Sequence, residues 1–281
     1  MIVTRFAPSP TGRLHLGHAY SALLGHVRAR SSRGNFLLRM EDLDPTRARA
    51  GFVDGIFEDL RWLGLDWDEP LLVQSERADV YASALERLRK QGLVYACFCT
   101  RGDIAAALEA PHGPAGSHYP GTCRGVPDDP QRRVTQAHSW RLDAAKALAI
   151  AGLPSWEESG KRFTASLADF DDVILARKDA PAAYHLACVV DDAASGVNLV
   201  TRAADLRSST PVQRLLQMLL VLPEPAYLHH ALVAHADGRR LAKRDLAPTL
   251  AAMREAGADG RALAADLREG KLPLGFRFRD E

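Results

Sequence analysis

Near the start of the chain, Arg5-Phe6-Ala7-Pro8-Ser9-Pro10-Thr11-Gly12-Arg13-Leu14-His15-Leu16-Gly17-His18 brings basic, hydroxyl and imidazole groups close together. An apolar run ending in a proline-stiffened loop, then a Gly-His opening of a helix, makes an anion site. The free N–H groups and the positive dipole end of the helix face outward there. His15 and His18 lie one turn apart on one face, and both can donate to phosphate oxygens. Gly17 between them removes a side chain where a ligand must approach closely. A second constellation is Cys97-x-Cys99 followed by Cys123. Three thiolates can hold zinc, and a closed tetrahedral site needs a fourth ligand, for which ligand chemistry favours His118 or His112. In a reducing compartment so tight a pair points to metal or redox chemistry rather than to a disulfide. Cys188 stands alone in an apolar run and reads as a small core residue. Arg239-Arg240-Leu241-Ala242-Lys243-Arg244, by itself, is a solvated run of charge.

Regular elements must hold these groups. Ile2 to Ala7 reads as a strand, Leu14 to Arg30 has helical spacing, and Asn35 to Met40 is an apolar run of strand length. Phe52 to Leu63 is a second amphipathic helix, and a third follows Ser75, a candidate N-cap. Strand, helix, strand, helix is the grammar of a parallel α/β sheet. Residues 97–139 break it with Cys, Gly, Pro and His, so a loop-rich insertion is expected there, with regular patterning back at Ile174. Ala187 to Val190 looks like a buried strand ending at Asp191-Asp192, Pro211 to Leu222 like a helix, and Leu228 to Ala234 like another apolar element. The tail from Leu246 is Ala-rich and helical in pattern.

The chain has 281 residues, 47% hydrophobic and 25% charged, which supplies a packed core and excludes intrinsic disorder. Its net charge of +1 excludes a broad non-specific nucleic-acid face, so any RNA must be met by a local basic patch. The N-terminus lacks a signal-peptide pattern, and Leu215 to Leu222 is too short to span a bilayer, so a cytoplasmic protein with no membrane partner is expected.

Residues 5–18 resemble the first signature of class I aminoacyl-tRNA synthetases, with His15-Leu16-Gly17-His18 as its tetrapeptide and Arg5 to Gly12 typical of the glutamyl and glutaminyl branch. Further matches follow in order: Arg39-Met40-Glu41-Asp42-Leu43-Asp44, Tyr184-His185-Leu186-Ala187, Val189-Val190-Asp191-Asp192, Thr201-Arg202-Ala203-Ala204-Asp205-Leu206 and Arg240-Leu241-Ala242-Lys243-Arg244. The resemblance covers nearly the whole chain. It implies that Glu41 holds the α-amino group of glutamate, that Arg5 and Arg202 meet its carboxylates, and that Ala7, Ser9 and Tyr184 complete the pocket. Arginine suits this because its planar fork bonds carboxylates bidentately. It implies ATP, with Mg2+, at His15, Gly17, His18 and Lys243, with His15, His18 and Lys243 catalytic. Residues 240–244 would match Lys-Met-Ser-Lys-Ser, but arginine replaces the first lysine, Ala242 replaces a serine and Arg244 the last serine. The family's short members carry Cys-x-Cys, then Tyr and Cys at the spacing of Tyr119 and Cys123. That implies one structural zinc on Cys97, Cys99, Tyr119 and Cys123.

The implied fold is a Rossmann-type parallel-sheet catalytic domain with a zinc-bearing insertion and a small C-terminal helical domain. The expected boundaries are 1–94 and 174–230 for the two catalytic halves, 95–173 for the insertion and 231–281 for the signature loop and helical end. About 37 residues follow Arg244, too few for the anticodon-binding domain of the full-length glutamyl enzymes. The resemblance is therefore to the short branch, which implies a monomer that activates L-glutamate and transfers it to queuosine in tRNA(Asp). The rival readings are a truncated enzyme charging the 3′ end of a tRNA and an inactive RNA-binding paralogue.

Overall fold

Parallel strands need a crossover, and the first one here builds half of the site. β1 (Val3–Phe6) and β2 (Asn35–Met40) pair in parallel, Val3 opposite Asn35 and Phe6 opposite Leu38, joined by α1 (Leu16–Ser31). Gly25 lets α1 lie close on the sheet: a Cβ there would stand 3.0 Å from Thr201 Oγ1 and 3.1 Å from the Phe36 ring. The computed structural model describes residues 1–109, 119–241 and 248–279. Among these, α2 (Ala50–Trp62) crosses over to a strand that periodicity did not suggest, β3 (Asp68–Val73), parallel to β2. α3 (Ala78–Lys90) follows a short 3-10 turn, Gln74–Arg77. Ser75 lies in that turn and does not cap α3; its hydroxyl instead donates to Asp42 Oδ2 at 2.6 Å.

The chain then leaves the sheet through β4 (Val94–Cys97), α4 (Arg101–Glu109) and α5 (Pro130–Thr135). Regular structure returns at β5 (Ser139–Leu142), earlier than Ile174, and continues with α6 (Ala144–Ala151), β6 (Ser155–Glu158), β7 (Lys161–Thr164) and β8 (Ile174–Ala176). Strands of three or four residues are too short to show a period. β4, β5 and β8 form a separate antiparallel sheet.

α7 (Tyr184–Ala194) corrects the expected strand at Ala187 to Val190. Leu186 through Asp192 are all buried, so the run carries no polar face to mark a helical period. β9 (Leu199–Ala203), α8 (Thr210–Leu219) and β10 (Ala226–His230) then form a parallel crossover, with Arg202 opposite His229. β9 lies beside β1, anchored where Asn198 Oδ1 accepts from Val3 N at 2.8 Å. Two parallel halves thus meet between β1 and β9, the point where the order of strands reverses and open α/β sheets bind ligands.

The end of the chain is less purely helical than expected. β11 (Leu232–His235) pairs antiparallel with β12 (Phe276–Arg279), and α9 (Leu250–Glu255) and α10 (Gly260–Arg268) lie between them in sequence. Leu250, Leu263 and Leu267 are buried in the same core as Leu16, Leu23, Phe36 and Leu60, so these helices pack on the first parallel half. No described helix is long and apolar enough to cross a membrane.

Candidate active site

A cleft of about 610 Å³ opens at the carboxyl ends of β1 and β9. Arg5, Ala7, Ser9, Glu41, Tyr184 and Arg202 line it. His15, Gly17 and His18 line the same space. The fold therefore brings together every expected substrate residue within the described chain, from segments almost 200 positions apart. Lys243, Ala242, Arg244 and Leu246 lie outside the described residues.

The proline loop is shaped by backbone bonds: Thr11 N donates to Ser9 O, Glu41 N to Pro8 O and Arg49 N to Pro10 O. At its end His15 caps α1. Its Nδ1 accepts from Gly17 N at 3.1 Å, while His18 Nδ1 accepts from His15 N at 3.1 Å. Each ring accepts with Nδ1, so the neutral imidazole carries its proton on Nε2 and has that N–H as its donor. The rings lie 3.8 Å apart, centroid to centroid. Two fixed donors beside a helix N-terminus suit a phosphate chain.

Arg5 is buried and forked onto Asp192, Nε to Oδ1 at 2.9 Å and Nη2 to Oδ2 at 3.3 Å. Arg39, also buried, bridges Asp192 and Glu41, reaching Glu41 Oε1 at 3.0 Å. Burial pushes the Glu41 carboxyl up and Arg39 pulls it back only in part, so Glu41 gains when an ammonium arrives. Burial likewise pushes the Tyr184 phenol up to about 12, which keeps it a protonated donor. Arg202 differs from the other two arginines. Its donors reach His229 Nε2 at 3.1 Å, Gln213 Oε1 at 2.7 Å, Thr210 Oγ1 at 2.8 Å and Tyr184 Oη at 3.3 Å. All four are neutral, and among the described residues no carboxylate forms an ion pair with it.

Sequence reasoning did not single out Arg39, Asp192, Thr210, Gln213 or His229. Arg39 and Asp192 stand inside quoted motifs, but no spacing says that residues 39 and 192 meet. Cys188, expected as a small core residue, is buried in α7 with Sγ 3.7 Å from Arg39 Nη2 and 3.8 Å from Arg5 Nη2. Burial pushes its thiol up to about 11.

In the insertion, the Sγ atoms of Cys97, Cys99 and Cys123 all lie within 4.8 Å of one another. Tyr119 Oη stands 3.3 Å from Cys97 Sγ and 3.5 Å from Cys99 Sγ, and Cys99 and Cys123 Sγ are 3.5 Å apart. Tetrahedral zinc with ordinary bond lengths sets S···S at about 3.8 Å and S···O at about 3.5 Å. The four donor atoms fit a metal ion of that kind. His118 and His112, favoured by ligand chemistry alone, lie outside the described residues. A larger hollow, about 1120 Å³, flanks this knuckle, but Arg89 covers its Trp140 ring at 4.4 Å and Arg132 its Phe98 ring at 4.0 Å. The smaller cleft has the convergent donors.

A family model described as tRNA synthetases class I (E and Q), catalytic domain, matches residues 1–268. The chain belongs to this family. Among class I synthetase relatives, the glutamyl-Q tRNA(Asp) synthetase of Rhodobacter capsulatus is 45% identical, over 95% of this chain and 98% of its own length. That of Nocardia farcinica is 48% identical, over 90% of this chain and 79% of its own. A glutamate tRNA ligase from Elizabethkingia meningosepticum, crystallised in complex with its amino acid, superposes with a TM-score of 0.80 at 26% identity. That superposition covers 95% of this chain but 60% of the ligase.

Proposed function

We propose that the cleft activates L-glutamate with ATP as glutamyl-adenylate and transfers it to a hydroxyl of queuosine in the anticodon loop of tRNA(Asp). The observation that carries the amino-acid half is Arg202, a buried cation whose protein partners are all neutral. Such a group wants an anion, and an uncharged side chain in its place leaves it unpaired, a penalty of about 3–5 kcal/mol. Glutamate brings two carboxylates for Arg5 and Arg202 and one ammonium for Glu41, with Ala7, Ser9 and Tyr184 completing the pocket. His15, Gly17, His18 and Lys243 take the phosphates of ATP, which enters with Mg2+. A carboxylate oxygen of glutamate attacks the α-phosphorus and pyrophosphate leaves; the acceptor hydroxyl then attacks the mixed anhydride and AMP leaves. His15, His18 and Lys243 stabilise the charge that develops toward pyrophosphate. Holding the reactants in line supplies about 7–11 kcal/mol.

The acceptor follows from the names of the relatives and from physical sense. Splayed bases of single-stranded loops are where proteins read RNA, and queuosine carries a cyclopentene diol able to attack the anhydride. We also assign one structural zinc to Cys97, Cys99, Tyr119 and Cys123, which would crosslink the insertion and stabilise it by roughly 10 kcal/mol.

The deciding experiment compares tRNA(Asp) stripped of its 3′ terminal nucleotides with intact tRNA(Asp) lacking queuosine. Labelled glutamate is expected on the first alone. Charging of the second alone restores the ordinary synthetase reading. Elemental analysis of gently purified protein is expected to find one zinc per chain, and its absence removes that assignment.

A further inference from the structure

His229 stands directly opposite Arg202 in the β9–β10 ladder, so both side chains leave the sheet on the same side. Its side chain is wholly buried, and Nε2 accepts from Arg202 Nε at 3.1 Å. Thr210 closes a ring with the pair: Oγ1 accepts from Arg202 Nη2 at 2.8 Å and lies 3.3 Å from His229 Nε2. An accepting Nε2 puts the proton of the neutral imidazole on Nδ1. On that side Glu158 Oε2 lies 3.1 Å away, at ion-pair distance though not aligned as a hydrogen bond. Glu158 is itself buried and held by Arg207 Nη2 at 2.9 Å. The imidazole thus stands between a buried carboxylate and a buried guanidinium. Direct contact between those two would reproduce the Arg5–Asp192 fork and neutralise Arg202 inside the protein.

We infer that His229 is a positioning residue that holds Arg202 with an uncharged acceptor and keeps Glu158 off it, so that the carboxylate of the incoming amino acid is the anion Arg202 meets. This rests on reading the cleft as the glutamate site. Nothing in the motifs assigns His229 such a role. It explains how an arginine can be fixed in place without losing its charge to the fixing group. Gln213 and Thr210 take the other donors by the same means.

The test is glutamate-dependent ATP–pyrophosphate exchange on the full chain with His229→Ala, His229→Gln and Arg202→Ala. His229→Ala is expected to raise the glutamate KM about 10- to 100-fold, the weight of a hydrogen bond to a charged group, with the ATP KM unchanged. His229→Gln, whose carbonyl can accept from Arg202 Nε, is expected to stay within about threefold of the parent KM. An unchanged glutamate KM in His229→Ala overturns the inference, and so does a folded Gln variant that is as poor as Ala. If His229→Ala does not fold, the Gln variant decides alone by the same criterion. Arg202→Ala separates the two levels: an unchanged glutamate KM there overturns the glutamate reading itself. A large rise there with none in His229→Ala overturns only the role of His229.

Discussion

Arg5 is the penultimate residue of β1 and Arg202 the penultimate residue of β9, two neighbouring strands, and both are almost wholly buried. Their surroundings are opposite. Burial alone would lower the pKa of Arg5, but the Asp192 carboxylate beside it raises it, and the pair is complete within the protein. Arg202 is held as firmly, by four neutral acceptors, and its charge is left over. Two identical side chains in one cleft therefore do different work. The first ties α7 to the sheet and meets a ligand carboxylate with its charge already shared with Asp192, while the second offers its whole charge to a ligand. The difference comes from the element opposite: α7 presents Asp192 to β1, whereas β10 and α8 present His229, Thr210 and Gln213 to β9.

The sharpest way to break this contrast is to remove each charge in turn. Arg202→Met should lower kcat/KM for glutamate in ATP–pyrophosphate exchange by about 100- to 1,000-fold or more, as expected for an anion left unpaired in a buried site. The thermal midpoint should fall less than in Asp192→Asn, since the buried groups that lose Arg202 are neutral acceptors and no carboxylate of the protein loses its partner. Equal losses of fold and activity would erase the distinction.

The complementary change is Asp192→Asn, which leaves Arg5 and Arg39 without their shared anion. Urea unfolding should show a loss of about 3–5 kcal/mol, and a loss below about 1 kcal/mol would mean that Arg5 was not held by that pair.

Acid should also tell the two surroundings apart. His229 and His185 are pushed down to about 4 by burial first and by the charge of Arg202 second. In the unfolded chain a histidine titrates near about 6.5, so on acidification the unfolded state takes up protons first. Stability is therefore expected to fall as pH drops from about 6.5 toward 4, by roughly 2–3 kcal/mol for a ring so shifted. Asp192 behaves otherwise. Arg5 and Arg39 hold it far below the usual carboxylate range against the effect of burial, so its contribution is lost only below about 3.9. A thermal midpoint that stays flat between pH 6.5 and 4.5 would show that the rings are not buried neutral.

The smallest expected effect is at Gly17. A Cβ there would stand 3.1 Å from His15 Cε1 and 3.2 Å from Nδ1, so Gly17→Ala presses on the ring that caps α1. Adenylation should slow by about tenfold, while the helix gains up to about 1 kcal/mol in propensity. A slower enzyme with an unchanged or higher thermal midpoint would separate the phosphate end of the cleft from the fold.

Much of this arrangement is legible in the chain. The strand at Val3–Phe6, the helix from Leu16 and the strand at Asn35–Met40 follow from short apolar runs, a proline loop and a helical period. Arg5, His15, His18, Glu41, Tyr184 and Arg202 are identified by ordered motifs, and the Cys-x-Cys pair by its spacing. These are local signals, set by residue type and separation along one segment. Tertiary structure decided what no single segment contains. It made Ala187 to Val190 helical, because a run buried on every side has no period to betray its form. It placed Asp192 against Arg5 and Arg39 because α7 meets the ends of β1 and β2, and His229 against Arg202 because the β9–β10 register sets them side by side. Whether a buried arginine is neutralised or left available depends on which side chain a neighbouring element presents, and that is a property of packing rather than of the motif that contains the arginine.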